Sequence, residues 1–270
     1  MTTVWAVYFS GTGTTERTVT HIAGELARLL AAPCRSLDFT RPQVRQQELD
    51  FCQSDLVVLG TPVYAGRVPN VLLPFLREKV RGGGALAVPV VLFGNRNYDD
   101  ALIELRDILQ QDGFRCVAAG AFVGEHSFSR TLGAGRPDDG DMAGQAAFAR
   151  EICEKLAGQA GTEMAPVLVR GETPIRPYYT PRDRYGNPIN ILKVKPKTDP
   201  DRCSGCGLCA ELCPMGSIDP ADVSQVRGIC IKCCACVKKC PSGAKYFDDP
   251  GYLFHQHALE DGYTRRAENE

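Results

Sequence analysis

Val4-Trp5-Ala6-Val7-Tyr8-Phe9-Ser10-Gly11-Thr12-Gly13-Thr14-Thr15 stands near the N-terminus, and its reading decides the larger part of the fold. Val4–Phe9 is a near-continuous apolar run, the pattern of a parallel strand covered on both faces. It runs into a glycine- and threonine-rich loop that opens a helix over Thr14–Leu30, with Val19, Ile22, Ala23 and Leu26 on one face. Backbone N–H groups at such a helix N-terminus form an anion site, and hydroxyl side chains add donors without adding charge. Glu16 occupies the place of the third glycine of G-x-G-x-x-G, so a dinucleotide fingerprint is not met.

The same alternation continues to about residue 158. Leu56–Gly60, Val90–Phe93 and Cys116–Val123 are apolar strand candidates, and Cys34–Phe39 is a weaker one. Pro89 donates no ladder hydrogen bond, so the fourth strand is expected to begin only at Val90. Amphipathic helices fit Val71–Val80, the segment after Tyr98, and Asp141–Leu156. This rhythm predicts a doubly wound α/β domain with a five-stranded parallel sheet. In strand order 2-1-3-4-5, the loops after strands one, three and four meet at the switch point where a ligand binds. The latter two are Thr61-Pro62-Val63-Tyr64-Ala65-Gly66-Arg67-Val68-Pro69 and Gly94-Asn95-Arg96-Asn97-Tyr98-Asp99.

The first loop, Ser10 to Thr15, resembles the phosphate loop of flavodoxins, and the likeness covers about residues 3–158. The short link between the fourth and fifth strands matches the short-chain kind. The resemblance implies FMN, with Ser10, Gly11, Thr12, Gly13, Thr14 and Thr15 around its phosphate. It places Thr61, Pro62 and Tyr64 on the second loop, with Tyr64 or its neighbours covering one face of the ring and Tyr98 stacking on the other. Backbone groups of Ala65, Gly66, Gly94 and Asn95 would bond the polar edge of the ring. Arg67 and Arg96 would either stand beside the ring and raise its potential, or be salt-bridged. His126, in Glu125-His126-Ser127-Phe128 after the fifth strand, would either shuttle a proton or be structural.

The C-terminal region is read from its cysteines. Cys203-x2-Cys206-x2-Cys209-x3-Cys213-Pro214 recurs 27 residues later as Cys230-x2-Cys233-x2-Cys236-x3-Cys240-Pro241. Three thiolates on a tight loop wrap one [4Fe–4S] cube, while the fourth leaves on a helix toward the partner cube. Cluster I is therefore expected on Cys203, Cys206, Cys209 and Cys240, and cluster II on Cys230, Cys233, Cys236 and Cys213. Zinc would call for two C-x2-C pairs rather than a triplet followed by Cys-Pro. Over about residues 198–248 the chain resembles the bacterial two-cluster ferredoxins, a small α+β domain. Cys234 stands beside the second triplet, but Cys233 keeps the spacing. Cys34, Cys52, Cys116 and Cys153 are scattered and read as buried thiols of a reducing cytosol.

These readings divide the chain into a flavodoxin-like domain (1–158), a proline-rich connector (159–197), a ferredoxin-like domain (198–250) and a C-terminal tail (251–270) carrying surface His255 and His257. His21, on the first helix, is likewise expected at the surface. The prolines of the connector forbid long helices, while its apolar residues favour a packed path over an extended linker. Arg184–Pro188 reads as a turn and Ile189–Lys195 as a strand. A net charge of −1 gives no support for a nucleic-acid partner. Nothing resembles a signal peptide, and no apolar run is long enough to insert into a membrane. Joined, the halves resemble flavodoxin–ferredoxin fusion proteins. The resemblance implies a cytoplasmic electron carrier with FMN and two [4Fe–4S] clusters, serving redox partner proteins of anaerobic metabolism. The alternative is a flavin-dependent oxidoreductase fed by the clusters; a redox sensor would need an effector motif that the sequence lacks. The oligomeric state, the nearer cluster, and the electron donor and acceptor are not legible.

Overall fold

The computed structural model describes residues 3–158 and 166–270. Met1, Thr2 and residues 159–165 of the expected connector lie outside the described residues. The strands β1 (Thr3–Tyr8), β2 (Cys34–Asp38), β3 (Asp55–Pro62), β4 (Leu86–Phe93), β5 (Arg115–Cys116) and β6 (Gly120–Val123) form one parallel sheet. Its order is 2-1-3-4, with β5 and β6 sharing the outer side of β4. Helices α1 (Thr14–Leu29) and α4 (Asp139–Gly158) cover one face; α2 (Leu73–Lys79) and α3 (Ala101–Gln111) cover the other. Successive strand side chains point to opposite faces. Val4, Ala6 and Tyr8 therefore pack with Ile22, Leu26 and Ile152 on one side, and Val7 and Phe9 with Leu76 and Leu105 on the other. A strand buried on both sides has no polar face, which is why its sequence is an uninterrupted apolar run.

The structure corrects the fourth and fifth strands. β4 starts at Leu86 and carries Pro89 in its interior, opposite Leu59 of β3. On the other side, β5 pairs with Leu86 and Ala87, and β6 with Val90 to Phe93, so Val88 and Pro89 have no partner there. Ala87 accepts from Val117 on that side (2.9 Å), and backbone groups alternate along a strand. The amide that proline lacks would thus have faced the break. The strand expected over Cys116–Val123 is split at the same place, and Lys155 of α4 donates to the Val117 carbonyl in the gap (2.7 Å).

Residues 166–196 contain no helix or extended strand pair, so the strand expected over Ile189–Lys195 is not formed. The segment is nevertheless pinned to the sheet domain. Val167 joins its core. Asp100, wholly buried, accepts from the Arg176 amide (2.8 Å), its guanidinium (2.9 and 2.5 Å) and the Glu172 amide (3.1 Å). These contacts, Arg176 first, hold the Asp100 carboxyl down at about 2. Tyr178 donates its hydroxyl to the Val68 carbonyl (2.8 Å) and Tyr179 its amide to the Ala65 carbonyl (2.8 Å).

Past the connector, β7 (Lys197–Thr198) pairs antiparallel with β8 (Lys245–Tyr246), enclosing the short helices α5 (Leu208–Glu211) and α6 (Ala235–Lys238). The region expected as a tail is instead helix α7 (Pro250–Gly262), capped by Asp249, whose side chain accepts from the Tyr252 amide (2.9 Å). The chain then returns to the first domain, where Glu270 and Ala121 exchange backbone hydrogen bonds (2.8 and 2.6 Å) along β6. His255 is accordingly buried rather than at the surface, and His21 is half-buried against the Met142 carbonyl (3.1 Å). Cys34 and Cys52 are exposed rather than buried. No helix among the described residues is long and apolar enough to cross a membrane.

Candidate functional site

The loop after β1 turns through Gly13 (φ +105°), a conformation that favours glycine, and enters α1 without a side-chain cap on the helix. Ser10 turns its hydroxyl inward, accepting from the amides of Gly13 and Glu16 (both 3.1 Å). The first-turn amides of Thr14 and Thr15 have no acceptor within the helix. Thr12, Thr14 and Thr15 line a cavity of about 460 Å³, with Gly11, Pro62, Val63, Tyr64 and Gly94 around it.

A larger cavity adjoins it, with about 940 Å³ free of atoms when its open mouth is included. Tyr64, Ala65 and Gly66 form one wall. They lie on a tight turn in which Tyr64 and Arg67 exchange backbone hydrogen bonds across Ala65 (φ +52°) and Gly66 (φ +78°). Phe93, Gly94, Arg96 and Asn97 form a second wall. His126 closes the end; a Cβ on Gly94 would collide with its ring. The outer walls come from outside the sheet domain: Tyr179 and Leu192 of the connector, Lys232 of the second cysteine loop, and His255 and Leu259 of α7. The sequence reading missed these. Burial first, then neighbouring cations, pushes His126 down to about 4, and burial does the same to His255. Burial, reinforced by Cys233, raises the Tyr64 hydroxyl well above its usual value.

Several expected contacts are corrected. Tyr98 does not reach the cavity: its ring is 1% exposed, packs on Phe93, and lies under the Arg170 guanidinium at 4.6 Å. Asn95, expected through its backbone, lines neither cavity, and its side chain donates to the carbonyls of Tyr263 (2.7 Å) and Arg265 (2.9 Å) and accepts from the Ala267 amide (3.0 Å). Thr61 is fully buried with its hydroxyl unpaired, and does not line either cavity. Arg67 is salt-bridged to buried Glu104 through two hydrogen bonds (2.7 and 2.6 Å). Arg96 does face the larger cavity, paired with Asp99 and stacked on Tyr179 at 4.6 Å.

The eight repeated cysteines gather into two further cavities. Cys203, Cys206, Cys209 and Cys240 line one of about 320 Å³. Cys213, Cys230, Cys233 and Cys236 line another of about 380 Å³, walled by Met215, Ile218, Val226, Ile229 and Phe247. Each set draws its fourth member from the other repeat. Cys234 also borders the second cavity, but its thiol meets the Tyr252 hydroxyl (3.3 Å) and the Lys232 carbonyl (3.4 Å).

The second cysteine loop rests on the loop after β1. A Cβ placed on Gly11 would lie 3.0 Å from Cys233 Cβ and 3.6 Å from its Sγ, and Cys233 borders the smaller cavity itself. Lys238 of α6 fixes this joint, pairing with Glu125 and donating to the His126 carbonyl (2.6 Å). Arg45 donates to the Pro214 carbonyl (2.5 Å).

Comparison with known proteins accords with this architecture. Residues 6–101 match the family described as a flavodoxin domain, and residues 196–219 the family described as a 4Fe-4S binding domain. The chain joins a flavodoxin domain to a ferredoxin-type domain. It is an electron-transfer protein of the flavin and iron–sulfur kind. Among solved structures similar to the flavodoxin part is a flavodoxin from the domain Archaea, 15% identical, covering 58% of this chain and 99% of that one with a TM-score of 0.44. A Streptococcus pneumonia TIGR4 flavodoxin is 19% identical over 57% of this chain and 99% of its own (TM-score 0.40). An NADH:FMN oxidoreductase in its apo form is 18% identical over 58% and 90% (TM-score 0.44). A comparison with curated proteins finds no match.

The residues present fit both groups. Free helix amides and three threonine hydroxyls in the smaller cavity suit a phosphate. The larger cavity beside them, lined by Tyr64, Phe93 and Tyr179, suits an aromatic ring. Four thiols around an apolar-walled space, twice, suit two iron–sulfur cubes.

Proposed function

We propose that the chain is a cytoplasmic electron-transfer protein that holds FMN across the two adjoining cavities and two [4Fe–4S] clusters in the cysteine cavities. When bound, FMN supplies two-electron chemistry and each cluster passes single electrons. Thr12, Thr14 and Thr15 would hold the phosphate, the Tyr64–Gly66 and Gly94–Asn97 loops would flank the ring, and Tyr179 would cover it from the connector. Cys230, Cys233, Cys236 and Cys213 would carry the cluster nearer the flavin. Cys203, Cys206, Cys209 and Cys240 would carry the outer one, and exposed Cys206 suits that set for meeting a redox partner protein. The observation that supports this reading best is the close approach of Cys233 to Gly11, which would bring a cluster ligand against the phosphate loop.

Anaerobically purified protein is expected to contain one FMN, about eight iron and about eight acid-labile sulfide per chain. FAD in place of FMN, or half that iron, would contradict the assignment. The wall formed by His126, Ser127 and Phe128 favours a second reading, an oxidoreductase acting on a small molecule at the ring edge. Sustained reduction of a small acceptor without any partner protein would support it.

A further inference from the structure

The two cysteine repeats depart from each other at two backbone positions, one of which borders the flavin cavity. In the first repeat, Gly205 (φ +69°) and Gly207 (φ +75°) take the left-handed conformation. In the second, the same conformation falls to Lys232 (φ +54°) and Cys234 (φ +58°). Side chains are disfavoured there, so the turn by itself calls for glycine. Gly205 is exposed, with nothing around it that a Cβ would meet. Lys232 is only 9% exposed and lines the larger cavity beside Tyr64, Arg96 and His126. Its ammonium donates to the carbonyls of Leu192 (3.0 Å) and Cys230 (2.9 Å), leaving its third donor. Arg96 is neutralised by Asp99, and the two cavity histidines are held in their neutral form. Among the described residues lining this cavity there is no carboxylate, and Lys232 is the cation without one.

A buried cation is unfavourable unless negative charge reaches it, and Lys232 stands between the cysteine thiolates of its own loop on one side and the cavity on the other. We propose that Lys232 is a positioning charge for the flavin: its ammonium meets the negative charge the ring acquires on reduction, so the chain binds reduced FMN more tightly than it otherwise would. This rests on the FMN reading above. Two electrons, supplied singly by bound iron–sulfur clusters, and one proton from water would leave a bound flavin ring with one negative charge; no bond to the protein would form or break.

The test is the flavin midpoint potential of the cluster-loaded holoprotein, which reports the ratio of affinities for reduced and oxidised FMN. Lys232→Gly installs the residue the first repeat uses and relieves the backbone; Lys232→Gln keeps a side chain without charge; Lys232→Arg keeps the charge. Lys232→Gly and Lys232→Gln should each lower the ratio at least tenfold, about 30 mV for a two-electron couple. Lys232→Arg should stay within threefold of the wild type, and iron content should hold in all three. A ratio changed less than threefold in Lys232→Gly overturns the assignment while leaving the flavin reading intact. So does loss of iron from both neutral variants, which would make Lys232 a support of the cysteine loop. A wild-type chain that takes up no FMN overturns both.

Discussion

Gly11 is one of the residues at which the sheet domain meets the second cysteine loop. Its missing side chain admits Cys233, and a branched side chain there would push the second cysteine loop away from the phosphate loop. Gly11→Val, made in a loop that also lines the smaller cavity, is expected to weaken FMN uptake and, in chains that still hold FMN and iron, to slow electron arrival at the clusters after flash reduction of the flavin at least tenfold. His126 and His255 report on the same joint through pH. Each has its pKa lowered from 6.5 to about 4. Below pH 6.5 the unfolded chain binds protons that the folded chain does not, so stability is complete above that value and falls as pH drops toward 4. The loss is at most about 3 kcal/mol per histidine. Denaturant titrations of the apoprotein across this range should show it, and His255→Asn should flatten the curve; equal stability at pH 7 and 4.5 would be the contrary outcome. At this scale the sequence was least informative. Asn95 and Tyr98 stand on the expected loop, but the tail at 263–267 takes the amide of one and Arg170 draws over the ring of the other. Contacts so distant in sequence leave no local pattern.

Elements were more legible, and the errors have identifiable causes. Apolar runs and amphipathic spacing located the strands and helices of the sheet domain. The proline in β4 misled because its tolerance depends on a gap in the neighbouring edge. Helix α7 has a readable signal in Asp249-Pro250, an N-cap followed by proline at the first helical position. The connector is the element whose role is easiest to probe. Asp100→Ala removes the acceptor of four hydrogen bonds and should cost about 3 kcal/mol, as for breaking a buried ion pair. Chemical denaturation measures that cost. Limited proteolysis should find new cleavage between Val167 and Tyr185; an unchanged digestion pattern would show that the connector is held by other contacts.

On the scale of the whole molecule, the two candidate sites were legible as short motifs, one of them repeated, whose residues the structure gathers around cavities. Their mutual arrangement was not, because it is set by Lys238 on Glu125, Arg45 on Pro214, and the return of the last residues to β6. Those contacts hold the second cysteine set against the two adjoining cavities. The most direct test is the rate at which electrons leave photoreduced flavin for the clusters, followed by absorbance at several protein concentrations. A fixed rate constant at every concentration is predicted, since both sites belong to one molecule. A rate rising in proportion to concentration would show transfer between molecules and contradict the account.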